Sequence, residues 1–258
     1  MVTLPCPFRR LRLALAIFAA LFPVSLAAEE VTLFAAASLK TALDELADVY
    51  PGDTLHIAYG GSSSMTRQIL QGAPAQLFIS ANQTWMDLLE RDGILAQDSR
   101  IDLLGNRLAL IAAPNNTAQV TPTPAFDLAT SLSDGVLAMA LVKAVPAGIY
   151  GREALVTLGV WDSVEGNVAQ ADNVRAALRL VATGEAPLGI VYATDLGAAP
   201  DVQLLGLFPA DSHTPIRYPM ALIDPVSPDA RAVYEFLTSD TAWAVFEKNG
   251  FIRPAVQP

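Results

Sequence analysis

Apolar residues recur in this chain at two alternating spacings. Residues 31–35 (Val-Thr-Leu-Phe-Ala) form a strand-like run, and Leu39, Ala42, Leu43, Leu46, Ala47 and Tyr50 then follow at three- and four-residue intervals, the period of one helix face. Pro51-Gly52-Asp53 ends that helix. Residues 55–59 make the next strand, followed by Gly60-Gly61-Ser62-Ser63-Ser64 and a short helix through Ile69 and Leu70 to Gly72. Residues 76–80 read as a third strand, and Trp85, Met86, Leu88 and Leu89 carry a helix to Gly93. A strong strand over 107–113 and a Thr-Pro-Thr-Pro loop at 121–124 lead into a second α/β set, from about Val136 to Val202. That set holds helices over 149–158 and 174–181 and a strand over 188–193. The tail reads as a strand over 218–223 and helices over 230–237 and 243–248. Two α/β sets with a returning tail predict an α/β protein of two lobes, each a mixed sheet flanked by helices, with a ligand in the cleft between them. The expected divisions are 28–106 for the first lobe, 107–214 for the second, and 215–258 returning to the first.

The N-terminus follows a different pattern. Arg9, Arg10 and Arg12 precede an apolar stretch over 13–22, Pro23 breaks it, and Ser25-Leu26-Ala27 offers small residues at a cleavage site. Residues 1–27 are therefore predicted to be a cleaved export signal, the stretch being too short to span a bilayer. Cys6, the single cysteine, lies ahead of the apolar stretch and so cannot be a lipidated residue at the cleavage point. Removal of the signal leaves a cysteine-free chain with 13 basic and 26 acidic residues, a net charge of −13. With 52% hydrophobic and 16% charged residues the chain can bury a large core, which excludes disorder. Strong acidity excludes a nucleic-acid partner, and one Cys with two His excludes zinc fingers and disulfide frameworks.

Catalytic patterns are absent. The chain has no Gly-x-Ser-x-Gly elbow, no His-Glu-x-x-His, no phosphate loop and no Gly-x-Gly-x-x-Gly. His56 sits in an alternating strand and His213 in a polar loop, and Asp44-Glu45 lie on a solvated helix face. The unusual feature is a set of helix starts rich in neutral donors. Ala35-Ala36-Ala37-Ser38 leads from strand to helix with Ser38 at the expected N-cap. Gly60-Gly61 with three serines does the same, Pro146-Ala147-Gly148 opens a third helix, and Asp172-Asn173-Val174 a fourth. Each start exposes unpaired N–H groups and about half a positive charge. Several converging on one point would hold an anion without Lys or Arg. Such a donor-only site favours a fully deprotonated oxyanion.

At these same residues the sequence resembles the periplasmic molybdate-binding proteins, the ModA family of transporter-associated receptors. The resemblance runs through residues 31–39 (VTLFAAASL), Gly61-Ser-Ser-Ser64 with Arg67-Gln68-Ile69, and Leu103-Leu-Gly-Asn106. It continues through Val145-Pro-Ala-Gly-Ile-Tyr150, Asn173-Val-Arg175, residues 186–192 (APLGIVY) and Tyr218-Pro219. It implies a type II periplasmic-binding fold that closes over a tetrahedral oxyanion, molybdate or tungstate. The contacts it implies are Ser38, Ser62, the main chain of Ala147 and Val174, and the Tyr192 hydroxyl. It also implies a monomer with no cofactor and no enzymatic activity, carrying molybdenum only as molybdate and delivering it to the membrane permease of an ABC transporter. Two other readings are open to the residues. One is a receptor of the same fold for sulfate, thiosulfate or a small organic acid, the last needing Arg67 or Arg175 aimed into the cleft, although both read as surface arginines. The other is a secreted hydrolase using a serine among Ser62, Ser63 and Ser64, against which the scarcity of histidine argues.

Overall fold

A computed structural model describes Val2, residues 30–52 and residues 55–254 of this chain. Apart from Val2, the expected export signal, Cys6 and Ala27 included, lies outside the described residues. Among the described residues no helix is long and apolar enough to cross a membrane.

The first part of the chain alternates β1 (Val31–Ala36), α1 (Lys40–Val49), β2 (Leu55–Gly60), α2 (Ser62–Leu70), β3 (Leu77–Ile79), α3 (Gln83–Arg91) and β4 (Ile101–Gly105). The second comprises β5 (Leu108–Ala112), α4 (Leu128–Leu132), β6 (Leu137–Ala140), α5 (Pro146–Thr157), α6 (Trp161–Val164), β7 (Val168–Ala171), α7 (Val174–Ala182), β8 (Leu188–Tyr192) and β9 (Gln203–Leu207). The tail adds β10 (Arg217–Leu222), α8 (Pro228–Leu237) and α9 (Asp240–Lys248). Two five-stranded sheets result, in the orders β2-β1-β3-β10-β4 and β7-β6-β8-β5-β9. The tail strand β10 thus returns to the first sheet. Each sheet has three parallel strands beside an antiparallel fourth: β10 runs against β3 and β4, and β5 against β8 and β9. The two lobes share one strand plan.

Alternation along the strands sends side chains to both faces. In β1, Leu33 packs with Leu77 and Ile79 on one face, and Phe34 packs with Phe78, Met86 and Leu89 on the other. All seven are buried, and each such side chain removed from water contributes about 1.5–3 kcal/mol. Local signals end the helices where expected: Gly93, Gly159 and Gly184 take positive φ just past α3, α5 and α7.

Several expected boundaries shift. α5 begins at Pro146 rather than 149, α8 at Pro228 rather than 230, and α9 at Asp240 rather than 243. The first turns of these helices carry caps or pocket residues in place of core residues, so the apolar period starts late. Ser38 is not an N-cap. It lies inside a tight 3₁₀ turn over Ala37–Leu39, α1 starts only at Lys40, and no side chain caps either start. The Ser38 hydroxyl is thereby free for another task.

Candidate functional site

The parallel strands of both sheets end at the gap between the lobes, where open α/β sheets place ligands. A small cavity lies there, with about 10 Å³ of room for the centre of a water-sized sphere. Its walls come from the connections after β1, β2, β6 and β7 and from the ends of β3 and β8. Ser38, Ser62, Ala147, Val174 and Tyr192 all line it.

Each lining donor is presented by a local device. Ser62 is the first residue of α2, with Gly61 as N-cap, and its oxygen accepts the Ala81 N–H at 2.9 Å. That bond uses the oxygen as acceptor and leaves the Ser62 proton for the cavity. Ser38 is arranged alike through a longer chain. The Asn106 amide is oriented by donating to Thr194 Oγ1 at 2.9 Å and accepting the Arg107 N–H at 2.8 Å. It also donates to the Tyr218 hydroxyl at 3.1 Å, which lies 2.9 Å from Ser38 Oγ. With Tyr218 accepting from Asn106 and donating to Ser38, the Ser38 proton is likewise left for the cavity.

In the second lobe the donors are peptide groups. Val145 caps α5, Pro146 takes the first position, and Ala147 is the second helical residue, whose N–H has no intrahelical acceptor. Asn173 caps α7 by accepting the Ala176 N–H at 3.0 Å, which leaves the Val174 N–H free of the cap. The starts of α2, α5 and α7 place three positive dipole ends at the cavity. Tyr192 completes the lining. Its hydroxyl is buried and completes no hydrogen bond within the described residues, although the Tyr218 ring lies 5.9 Å from its own, centroid to centroid. Burial raises both phenols well above their ordinary range, so both stay protonated as donors.

No Asp, Glu, Lys, Arg or His lines the cavity. Behind Tyr192, the fully buried Asp195 accepts the Tyr192 N–H at 3.0 Å and the Arg175 Nε–H at 2.5 Å. Burial pushes the Asp195 carboxyl up to about 6, against the pull of Arg175 and the Tyr192 amide. Above that pH it is an anion with both oxygens engaged, unavailable as an acceptor for the cavity. Among the described residues no group of three or more His, Cys, Asp or Glu could hold a bare metal ion.

Arg175 is therefore not a surface arginine. Its side chain is 17% exposed and points at Asp195 rather than into the cavity. Arg67 is exposed on α2. His56 lies 3.1 Å from the Glu30 carboxylate, and His213 Nδ1 lies 2.8 Å from the Thr214 carbonyl; neither lines the cavity, so the clustered serines have no base there. Sequence reasoning left Asn106, Tyr218, Ala81 and Asp195 without roles. They back the lining donors from positions up to 180 residues away; Asn106 and Tyr218 stand in segments that carry the family resemblance, but no local pattern gives any of the four its partner.

Residues 31–252 match the family of bacterial extracellular solute-binding proteins. The molybdate-binding protein ModA of Escherichia coli is 39% identical over 228 residues, spanning 86% of this chain and 88% of that protein. The ModA of Haemophilus influenzae is 36% identical over 230 residues, spanning 87% and 91%. Among solved structures, the periplasmic molybdate-binding protein of Azotobacter vinelandii shares the fold with a TM-score of 0.77 at 22% identity, covering 88% of this chain and 100% of that one. A two-lobed fold with one strand plan used twice, a cleft walled by helix starts, and more than a third of all aligned residues in common with two such receptors place the chain in one family: it belongs to the ModA family of bacterial extracellular solute-binding proteins.

Proposed function

We propose that this protein captures molybdate, and tungstate with it, outside the cytoplasm and delivers it to the membrane permease of an ABC transporter. The observation that carries this reading is the cavity's chemistry: hydroxyl and peptide donors from both lobes converge on it, and no carboxylate faces it. The donors assigned to the ion are Ser38 and Ser62 from the first lobe, and the Ala147 and Val174 amides with the Tyr192 hydroxyl from the second. A tetrahedral dianion offers acceptors in every direction and no proton, which suits that lining. Phosphate keeps a proton near neutral pH and would need an acceptor. The cavity leaves only about 10 Å³ for the centre of a water-sized sphere, far below the 300–1,000 Å³ usual for organic ligands, which favours a small inorganic ion.

Binding is closure without bond making. The ion docks on one lobe and recruits the donors of the other, which raises the closed population. Hydrogen bonds to a charged group are worth about 1.5–3 kcal/mol each, so five of them reach an affinity of about 1 µM or tighter after the costs of association. Sulfate has the same charge with shorter bonds, and donors fixed on two lobes cannot all reach it. Residues 1–27 direct export and are removed, and the monomer binds one ion, with no cofactor and no turnover.

Calorimetric titration of residues 28–258 with molybdate, tungstate, sulfate and phosphate tests this. One-to-one binding of the first two with no heat from the others is expected. Equal binding of sulfate would overturn the size filter, and silence from all four would overturn the oxyanion reading.

A further inference from the structure

Arg175 and Trp85 are among the side chains that cross the cleft beside the cavity without lining it. Arg175, the second residue of α7 in the second lobe, is fixed at its Nε edge by the buried Asp195 of the same lobe. Its two outer nitrogens then face the first lobe. Both lie 3.1 Å from Thr41 Oγ1, and one donates to the Ser38 carbonyl at 3.2 Å. Trp85, on α3 of the first lobe, reaches the other way: its indole N–H donates to the Ala144 carbonyl at 2.9 Å, just ahead of α5. Arg175, the neighbour of Val174 in the chain, thus ties the second lobe to the main chain of Ser38 and adjoins one assigned ion donor from each lobe.

We infer that Arg175, oriented by Asp195, is a positioning residue that clasps the two lobes through Thr41 and the Ser38 carbonyl and so slows release of the bound ion. The inference rests on the oxyanion-receptor reading for its ligand. The guanidinium is planar and its donors are fixed in a fork. With one edge spent on Asp195, the remaining donors can meet Thr41 and Ser38 only while the lobes are together. Opening the cleft breaks these bonds and leaves the Arg175–Asp195 pair intact within its own lobe. A clasp of this kind selects the closed state and leaves the docking step on either lobe untouched.

The test uses Thr41→Val, which keeps the side chain's size and removes the acceptor, with Thr41→Ser as the conservative control. A second variant, Arg175→Met with Asp195→Asn, removes the clasp without burying a lone carboxylate. Molybdate association and release are followed by stopped-flow tryptophan fluorescence. Thr41→Val is expected to speed release about tenfold or more, through loss of the acceptor that both outer nitrogens of Arg175 share, with association changed less than about twofold. The double variant is expected to speed release further, and Thr41→Ser to match the parent. A merely structural role would instead lower the unfolding temperature and slow association.

The cysteine-free mature chain also permits spin labels at Arg67→Cys on α2 and Lys143→Cys beside α5, both exposed and on different lobes. Without ligand, Thr41→Val is expected to shift the interlobe distances outward. Unchanged release together with unchanged distances would overturn the clasp. Failure of the parent to bind any oxyanion would overturn the receptor reading alone, because the ligand-free distances would still decide the clasp.

Discussion

The two lobes use one strand plan and give the cavity different chemistry. β1, β2 and β3 stand in the first sheet where β6, β7 and β8 stand in the second. Ser38 follows β1 as Ala147 follows β6. Ser62 follows β2 as Val174 follows β7, and Ala81 follows β3 where Tyr192 ends β8. At the first two stations the first lobe offers hydroxyls and the second offers peptide N–H groups. The difference lies in how each is encoded. A hydroxyl depends on residue identity and needs backing, which Asn106, Tyr218 and the Ala81 amide supply. A peptide N–H at Ala147 or Val174 comes from any residue except proline. It depends on where the helix begins, which Pro146 and Asn173 decide. One wall of the site is written in side chains and the other in helix boundaries.

The largest expected effects separate folding from closure. A Cβ on Gly148 would lie 2.2 Å from the Ala140 carbonyl and 2.5 Å from that of Leu141, both in its own lobe. Gly148→Ala should therefore damage the second lobe itself, costing about 3 kcal/mol or more and lowering the unfolding midpoint by about 10 °C. A Cβ on Gly61 would meet the Asp172 carbonyl of the opposite lobe at 2.6 Å, and the Gly61 backbone (φ −65°, ψ 134°) is one alanine adopts freely. Gly61→Ala should cost less than about 1 kcal/mol of stability. It should still weaken molybdate binding about 100-fold or more, because the second lobe's donors no longer reach an ion held by the first. Thermal unfolding and titration of both variants check the pair. Parent-like binding by Gly61→Ala would mean that the lobes do not meet as described.

The same division explains what the sequence disclosed. The two α/β sets, the returning tail and the donor-rich helix starts were legible as local patterns, whereas the five lining residues, Tyr192 above all, rested on the family resemblance. Strand β7 (Val-Ala-Gln-Ala) was not, since a short edge strand carries too few apolar residues to announce itself. The early turn of α5 was missed because Pro146, Ala147 and Gly148 serve the cavity and break the apolar period. Arg175 reads locally as an exposed arginine, one turn into a helix. Only the fold brings Asp195 and Thr41 to it, 20 and 134 residues away.

The two serines sharpen the comparison within one wall. Ser62→Ala and Ser38→Ala should each weaken molybdate binding about 10- to 100-fold, the worth of one hydrogen bond to a charged ligand. Each should also cost stability, because each serine is the acceptor of a buried donor. Without Ser62 the buried Ala81 N–H loses its acceptor, which costs about 1–3 kcal/mol. Without Ser38 the buried Tyr218 O–H likewise loses its acceptor, since Asn106 only donates to it, and a similar cost of about 1–3 kcal/mol is expected. Denaturant unfolding beside titration separates the two effects. Parent-like affinity in either variant would remove that serine from the site.

Tyr192 breaks the pattern of the second lobe, since it is the one side-chain donor assigned to the ion on that wall, and its smaller effect is the most diagnostic. A buried hydroxyl without a partner is a liability in the ligand-free protein. Tyr192→Phe keeps the ring against Tyr218, with its tilted packing at 5.9 Å, and removes only the oxygen. The ligand-free variant should then be more stable than the parent, by about 1 kcal/mol. Binding should move the other way, weakening about tenfold, because the ion loses one donor while the Ala147 and Val174 amides remain. Opposite signs in two measurements on one variant are what a donor held in reserve for the ion requires. A hydroxyl serving only the core would make both fall together, and one that served neither would leave the affinity where it was.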